Sequence, residues 1–487
     1  MGVIRKQSVN NSINIYVGII IGAINTILIF PYVFESNPEY WGLLQILISY
    51  SVIFSTFSHF GSPNILIRYF PRTSNKTNLI SFTFLLCLIG FLFFLFLFLF
   101  FQNSFLKFID ATQLLKDNFY LIGFLVFSLS FFDLLSSISR SYLDSTTPVF
   151  LNEVFVRVCV FLLLILYNYD FILFDHFLYL FISIYVVKFL LFIYIQLKNN
   201  RLTFSLKFSK LDIKELLVYG FYVLTAGGSS ILVSRFDLLM IEYYIDLKHV
   251  AFYTLAFFMG SVIRVPERSI SFIASPLVAK SFEKKDYDNI QSIYSKSSIN
   301  LLIIGGLIFL CVLLNIDDIL HLLPDKFSKG KYVVLLIGIT QLINLAGGLH
   351  NLILLHSPYF KSIVYFNFFL LLLTFLTNVI LIPIYGINGA AFATFISVFT
   401  FNIARMIYVY KKMNFHPFSI KTLIVILTIV IIYFSIVNMS FTSVPYVNIL
   451  IRSLISCILV VFSVQYFNLS DDINSLIKDF RTNYFKI

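Results

Sequence analysis

A chain of 487 residues with 59% hydrophobic residues, only 12% charged residues and a mean hydropathy of +0.91 is too apolar for a soluble globular protein. Its 35 Lys and Arg against 24 Asp and Glu give a net charge of +11. Most of the basic residues fall in short gaps between apolar runs, and no basic patch with interleaved aromatics stands out, so the charge reads as a topology signal rather than as nucleic-acid binding.

Arg5 and Lys6 precede an apolar run that has no small-residue cleavage site, which predicts a retained first span. Windows of apolar residues then place membrane helices near 13–33, 41–61, 79–101, 118–139, 149–168 and 176–196. A basic gap follows, with Lys198, Arg201, Lys207, Lys210 and Lys214. Further spans are expected near 215–245, 250–276, 299–317, 331–354, 363–384, 388–410, 420–438 and 447–467, which makes about 14 in all. The architecture expected is all-α and integral to the membrane. Its parts are an N-terminal lobe at 1–197, a cytoplasmic linker at 198–214, a C-terminal lobe at 215–411, and spans 13 and 14 with a cytoplasmic tail at 412–487.

Gaps on the side of the N-terminus carry about 23 Lys and Arg and those on the other side about 7, which predicts that both termini are cytoplasmic. The two halves share a pattern. Tyr32 to Glu35 and Trp41 to Leu44 align at one offset with Tyr243 to Asp246 and Phe252 to Leu255, and Ser62-Pro63 and Ser275-Pro276 are expected to end the second and eighth spans alike.

The chemistry concentrates between Ser229 and Lys280, where Arg235, Asp237, Glu242, Arg264, Glu267 and Arg268 lie within or beside two spans. A charge at the centre of a lipid-facing helix costs about 2.5–3.5 kcal/mol on insertion scales, so these groups are expected to face protein or a wet cavity. Arg264 and Arg268 are one helical turn apart with Glu267 in reach of Arg264. Arginine suits an anion because its planar fork binds phosphate oxygens in pairs and keeps its charge when buried. The competing reading is an internal salt-bridge network. Arg235 and Asp237 cannot share one face of a regular helix, although Gly227-Gly228 could loosen it. Asp133, deep in the fourth span, joins Asp237, Glu242 and Glu267 as candidates for ion pairing or for binding a coupling ion. Arg140, Glu153 and Arg157 read as boundary residues, and His59 as a satisfied interface histidine. Gly347-Gly348 reads as a kink, and Gly386, Gly389, Ala390 and Ala393 as a small-residue stripe for close helix approach.

Cys87, Cys159, Cys311 and Cys457 lie in apolar runs without metal-ligand spacing, and no P-loop or nucleophile elbow is found, so neither a metal site nor an enzyme is expected.

Three stretches resemble one family. Pro38-Glu-Tyr-Trp-Gly-Leu-Leu-Gln45 looks like its turn between spans one and two, and Asp237 to Ile245 with Val250 to Ala256 is similar to its span seven to eight hairpin. Pro383 to Ala391 with Ala393-Thr394 looks like its turn between spans eleven and twelve. The family is that of polysaccharide biosynthesis proteins, the lipid-linked oligosaccharide flippases of the multidrug/oligosaccharidyl-lipid/polysaccharide exporter superfamily. Two positions depart from its pattern: Glu242 replaces a small residue and Ala251 a glycine.

The resemblance implies two pseudo-symmetric six-helix lobes around a central cavity, with two peripheral helices. The implied cargo is an undecaprenyl-pyrophosphate-linked oligosaccharide held by Arg235, Arg264 and Arg268. It would be moved across the bacterial inner membrane for O-antigen (lipopolysaccharide), capsule or exopolysaccharide synthesis. No cofactor is implied. A proton gradient, a sodium gradient or the membrane potential would drive transport, with the bilayer and a polysaccharide polymerase as partners. A cation-coupled drug exporter of the same superfamily is the first alternative, although its cavity should favour acidic over basic groups. A membrane glycosyltransferase or polymerase is the second, although the outer loops are short for one.

Overall fold

The computed structural model describes residues 2–73, 75–205 and 212–485; Lys207 and Lys210 of the basic gap lie outside the described residues. In hydrocarbon every backbone polar group must be satisfied within the chain. Among the described residues the only regular structure is helical. Among the described residues, eleven helices are long and apolar enough to cross a membrane, and a twelfth span arises if the bent pair Asp325–Ala346 and His350–His356 is one crossing. The sequence-based number of about fourteen treats the 52-residue helix Ser362–Met413 as two arms and adds the 17-residue helix Ile420–Ile436. The two arms meet at Gly386, which sits at φ 60° and ψ −137° where helical geometry fails.

The chain divides into two compact units, Met1–Ala251 and Phe252–Ile487. The lobes drawn from the sequence divide at 198–214 by span repeat, whereas these units follow packing. The first unit contains α1 (Val9–Val33), α2 (Pro38–Ser58), α3 (Lys76–Phe108), α4 (Leu121–Ser141), α5 (Thr146–Asn168), α6 (Phe174–Lys198) and α7 (Ile213–Tyr244). Its centre is α2 with α4: 72% of the apolar window of each is buried, against 17% for α3. The difference follows from sequence. α4 is rich in serine, and Ser128, Ser130, Ser136, Ser137 and Ser139 are all buried, small enough for close packing and able to bond back to the preceding turn. α3 is nearly all Phe and Leu, with Phe93, Phe96, Phe100 and Phe101 facing outward as expected for lipid contact.

The second unit contains most of α8 (Leu247–Ser261), then α9 (Val265–Lys284), α10 (Tyr287–Leu313), α11 (Lys331–Ala346), α12 (His350–His356), α13 (Ser362–Met413), α14 (Ile420–Ile436), α15 (Pro445–Tyr466) and α16 (Asp471–Phe485). α10 lies in its middle, against α9, α11, α14 and α15.

Three details differ from the sequence-based expectations. α7 runs unbroken through Gly227-Gly228, and what Gly228 provides is room for the Phe57 ring, which a Cβ would meet at 3.1 Å. Ser62-Pro63 starts a short helix, Ser62–Tyr69, whereas Pro276 lies inside α9, so the two Ser-Pro pairs do not end spans alike. The interruption in the second half comes earlier, as a 3₁₀ turn at Val262–Arg264. Pro266 is the cause: it lacks an N–H and its ring opposes the carbonyl four residues back, so α8 cannot continue regularly past it. The kink at Gly347-Gly348 is present, with a 46° bend and Gly348 at φ 57°.

At one end of the first unit, Asp144 in the turn after α4 bonds Arg201 beyond α6 at 2.7 Å and caps Thr147 at 3.2 Å. Burial raises the Asp144 carboxyl, but the bonds from Arg201 and Thr147 outweigh it and hold the group below its ordinary value. Stability from a depressed acid is present above the unfolded value of about 4 and is lost as pH falls through the lower folded value. Asp144→Asn should therefore cost about 1–2 kcal/mol at pH 7. In thermal unfolding scans of the purified protein, its deficit relative to the unaltered protein should shrink as pH drops below about 4.

Candidate functional site

In the first unit, α1 and α5 each contain a π-helical turn, at Ile24–Ile29 and Leu151–Phe155, and α1 packs against the turn in α5. Asn25 Nδ2 donates to the Arg157 carbonyl at 2.9 Å, and Arg157 pairs with Glu153 at 2.9 Å. Gly18 and Gly22 face the Arg157 side chain, and a Cβ on Gly18 would lie 2.7 Å from its Nη1. Glu153 and Arg157 are thus set against the middle of α1 and are not boundary residues, as their position early in the fifth apolar run suggested. The two glycines supply the space that an arginine needs inside a bundle.

Next to this pair lies Lys188 of α6, which is 1% exposed. Its Nζ donates to Asn152 Oδ1 at 3.2 Å and stands 4.0 Å from the centroid of the Phe132 ring. Asp133 and Glu153 are its electrostatic neighbours, and Asp133 feels Arg140 as well. The structure therefore places Asp133 within a chain of charges, although its own side chain is exposed.

On α7 the three charged residues have different surroundings. Arg235 is partly buried near Tyr185, with its Nε enclosed and without a hydrogen-bond partner among the described residues. Asp237 is buried. Glu242 is 5% exposed and its Oε2 has no partner; the charges and phenols around it are Asp110 and Tyr50, with no cation among them.

In the second unit, Arg264 closes the 3₁₀ turn and caps α9, whose first turn carries Glu267 at the positive end of the helix dipole. The two form a forked pair: Arg264 Nε donates to Glu267 Oε2 and Nη2 to Oε1 at 3.2 Å. The Arg264 side chain is still half exposed, so the pair leaves part of the guanidinium open. Arg268, one turn on, is exposed and makes no ion pair among the described residues.

Arg405 of α13, a residue given no role from the sequence, is 4% exposed. Its guanidinium lies 4.4 Å from the Phe401 ring centroid, its Nε has no hydrogen-bond partner among the described residues, and its charged neighbour is Arg264 rather than an acid. Around it are the buried Tyr294 hydroxyl, also unpartnered, and His350, bonded to the Gly347 carbonyl at 3.0 Å. Nearby, Asn402 Nδ2 donates to Asn344 Oδ1 at 2.7 Å. Carbonyls freed by the kink are taken up locally, as Ser298 Oγ donates to the Ala346 carbonyl at 2.6 Å. The sequence signal for Arg405 is a cation well inside an apolar run with no Asp or Glu within a helical turn.

Of the residues singled out, the structure joins Arg264 to Glu267 and associates Asp133 with Lys188 and Arg140. Glu242 pairs with no cation among the described residues.

Apolar spans with charged groups held inside the bundle define a multi-pass membrane protein, and its fold is that of the solved structures described below. The chain belongs to the polysaccharide biosynthesis protein family, whose profile matches residues 8–281, and the MatE profile matches residues 229–380. Among solved structures, the chain is similar to a lipid II flippase, MurJ, in an inward closed conformation, at 14% identity with a TM-score of 0.78, over 94% of this chain and 98% of that one. An inward-facing multidrug resistance MATE family transporter matches at 11% identity and a TM-score of 0.65, over 82% of this chain and 94% of that one. The Vibrio cholerae MATE transporter VcmN in its bent form matches at 12% identity and a TM-score of 0.56, over 85% and 98%. Among curated proteins, none matches this sequence.

Proposed function

We propose that the protein is a flippase for an undecaprenyl-pyrophosphate-linked oligosaccharide, working by alternating access in the bacterial inner membrane with both termini in the cytoplasm. It catalyses no covalent step and serves O-antigen, capsule or exopolysaccharide assembly beside a polysaccharide polymerase. The observation that carries the reading is Arg405 beside Arg264 in the second unit: Arg405 is buried with an Nε that has no partner among the described residues, its charged neighbour is Arg264 rather than an acid, and Arg264 is half exposed despite its pair with Glu267. In the first unit, Arg235 likewise has an Nε without a partner among the described residues. Buried cations left unsatisfied by the chain are suited to an anionic ligand, and a pyrophosphate offers oxygens to several guanidinium groups at once. Arg268 belongs to the same anion path at its exposed end.

Reconstitution tests this: vesicles holding a fluorescent lipid-pyrophosphate oligosaccharide should show transfer of the label to the opposite leaflet only when the protein is present. Efflux of cationic dyes without such transfer would instead establish the drug-exporter reading, which the MatE match across 229–380 keeps in contention.

Coupling falls to Glu242. A carboxyl buried without a cation is a place where a proton can be loaded and released as access alternates. Glu242→Gln should abolish the acceleration by an imposed proton gradient while leaving the gradient-free rate in place, as read from initial rates in the same vesicles. Equal acceleration of both proteins would assign the driving force elsewhere, to sodium or to the membrane potential, with Asp133, Asp237 and Glu267 as the remaining acids.

A further inference from the structure

The turn joining α12 to α13 borders a cavity of about 560 Å³ in the second unit, lined by Tyr359, Lys361, Ser362, Phe366, Phe369 and Tyr408 among others. Its chemistry is graded along the axis of α13. Lys361 is exposed at the rim, and Lys412 Nζ stands 5.9 Å from the Tyr359 ring centroid. Below them Tyr408 packs edge-on against both Tyr359, at 6.3 Å, and Phe366, at 5.4 Å, forming a stiff aromatic wall. Phe369 lies seven residues beyond Ser362, about 10 Å down the helix axis. The lining carries no Asp or Glu, and Ser362 Oγ is enclosed without a hydrogen-bond partner.

We propose that this cavity binds one anionic membrane phospholipid, its phosphate at Lys361, Ser362 and Lys412 and an acyl chain along Phe366 and Phe369. Three observations converge on that occupant. The cavity opens where α12 ends and α13 begins, at the ends of membrane helices, which is the level of headgroups and of interfacial tyrosines. One lysine in the lining, Lys361, and a second beside its Tyr359 wall, Lys412, with no acid among the lining residues, favour a net negative headgroup over a zwitterionic one. The unpartnered Ser362 hydroxyl and the phenol groups are donors for phosphate oxygens, while the two phenylalanines offer nothing to a free ion and bury a chain. The volume is within the range of sites that enclose small ligands, about 300–1,000 Å³. None of the cargo arginines lines this cavity, although the guanidinium of Arg405 stands 5.9 Å from the ring centroid of Phe366 in its wall.

Native mass spectrometry of the purified full chain, titrated with phosphatidylglycerol and with phosphatidylcholine, tests the proposal. One phosphatidylglycerol should be retained preferentially. K361Q/K412Q should weaken that binding by about tenfold, to the phosphatidylcholine level, and Ser362→Ala by a few-fold. K284Q/K285Q, which removes two exposed lysines at the end of α9, should leave it unchanged. The proposal is overturned if the two lipids bind equally, if K361Q/K412Q has no effect, or if K284Q/K285Q has the same effect. Displacement of the lipid by excess inorganic phosphate would overturn it as well, by making the site one for a free anion.

Discussion

Arg264→Ala is expected to slow translocation of a lipid-pyrophosphate oligosaccharide by roughly 10- to 100-fold, the loss of one charge-assisted contact of about 1.5–3 kcal/mol at a rate of about 1.4 kcal/mol per tenfold. The side chain is placed for such a contact because Pro266 forces the 3₁₀ turn on which Arg264 sits, and because Glu267 grips one edge of the fork while half the side chain stays open. Arg264→Lys should retain part of the rate, since it keeps the charge but not the planar fork. Glu267→Ala separates cargo binding from structure. If Arg264 served only its pair with Glu267, the two alanine variants would be equally slow and equally destabilised. If it binds the cargo, Glu267→Ala should be the milder of the two in the vesicle assay.

Gly61→Val should be the most damaging single change to folding. Gly61 adopts φ 72° and ψ 7° between α2 and the helix Ser62–Tyr69, a left-handed conformation that costs a side-chain-bearing residue about 1–2 kcal/mol. A Cβ there would also stand 2.5 Å from the Gly220 carbonyl oxygen and 3.0 Å from its Cα, so two backbones would have to separate, at a further cost of about 1–3 kcal/mol. The sum is a large share of the stability of an ordinary domain, about 5–15 kcal/mol. Monodisperse protein recovered from membranes should fall severely, as followed by size-exclusion chromatography. Gly123→Ala, at a position with nothing within 4 Å of the added Cβ, should be recovered in full and shows that the effect is local.

Most of the fold was legible because the bilayer makes each span announce itself as an apolar run, as in α3, and because breaks require particular residues, as at Gly347-Gly348 and Gly386. Gly227-Gly228 misled for a physical reason. A glycine pair weakens a helix only when nothing else holds it, and here the absent side chain of Gly228 admits Phe57 and the helix continues. Arg264 with Glu267 was legible from spacing, since residues three apart on a helix meet. Arg405 and Lys188 carried no such sign. A lone cation in an apolar run looks the same whether it reaches for a span end or lies over a phenylalanine ring, and only the fold shows Lys188 over Phe132 and Arg405 over Phe401. The pairing of Arg157 with space left by Gly18 and Gly22 joins residues more than 130 apart and has no local signature.

The π-helical turns in α1 and α5 also bear on how this chain lines up with relatives. Such a turn is a helix carrying one inserted residue, and removing that residue would rotate everything beyond it by about 100°. A relative without the insertion at 24–29 or 151–155 will line up by sequence yet be out of phase by one position on one side of the turn. Its counterpart of Arg157 would then sit where Val156 or Val158 stands here. Gap placement at these two turns therefore decides which residue of a homologue inherits the place opposite Gly18.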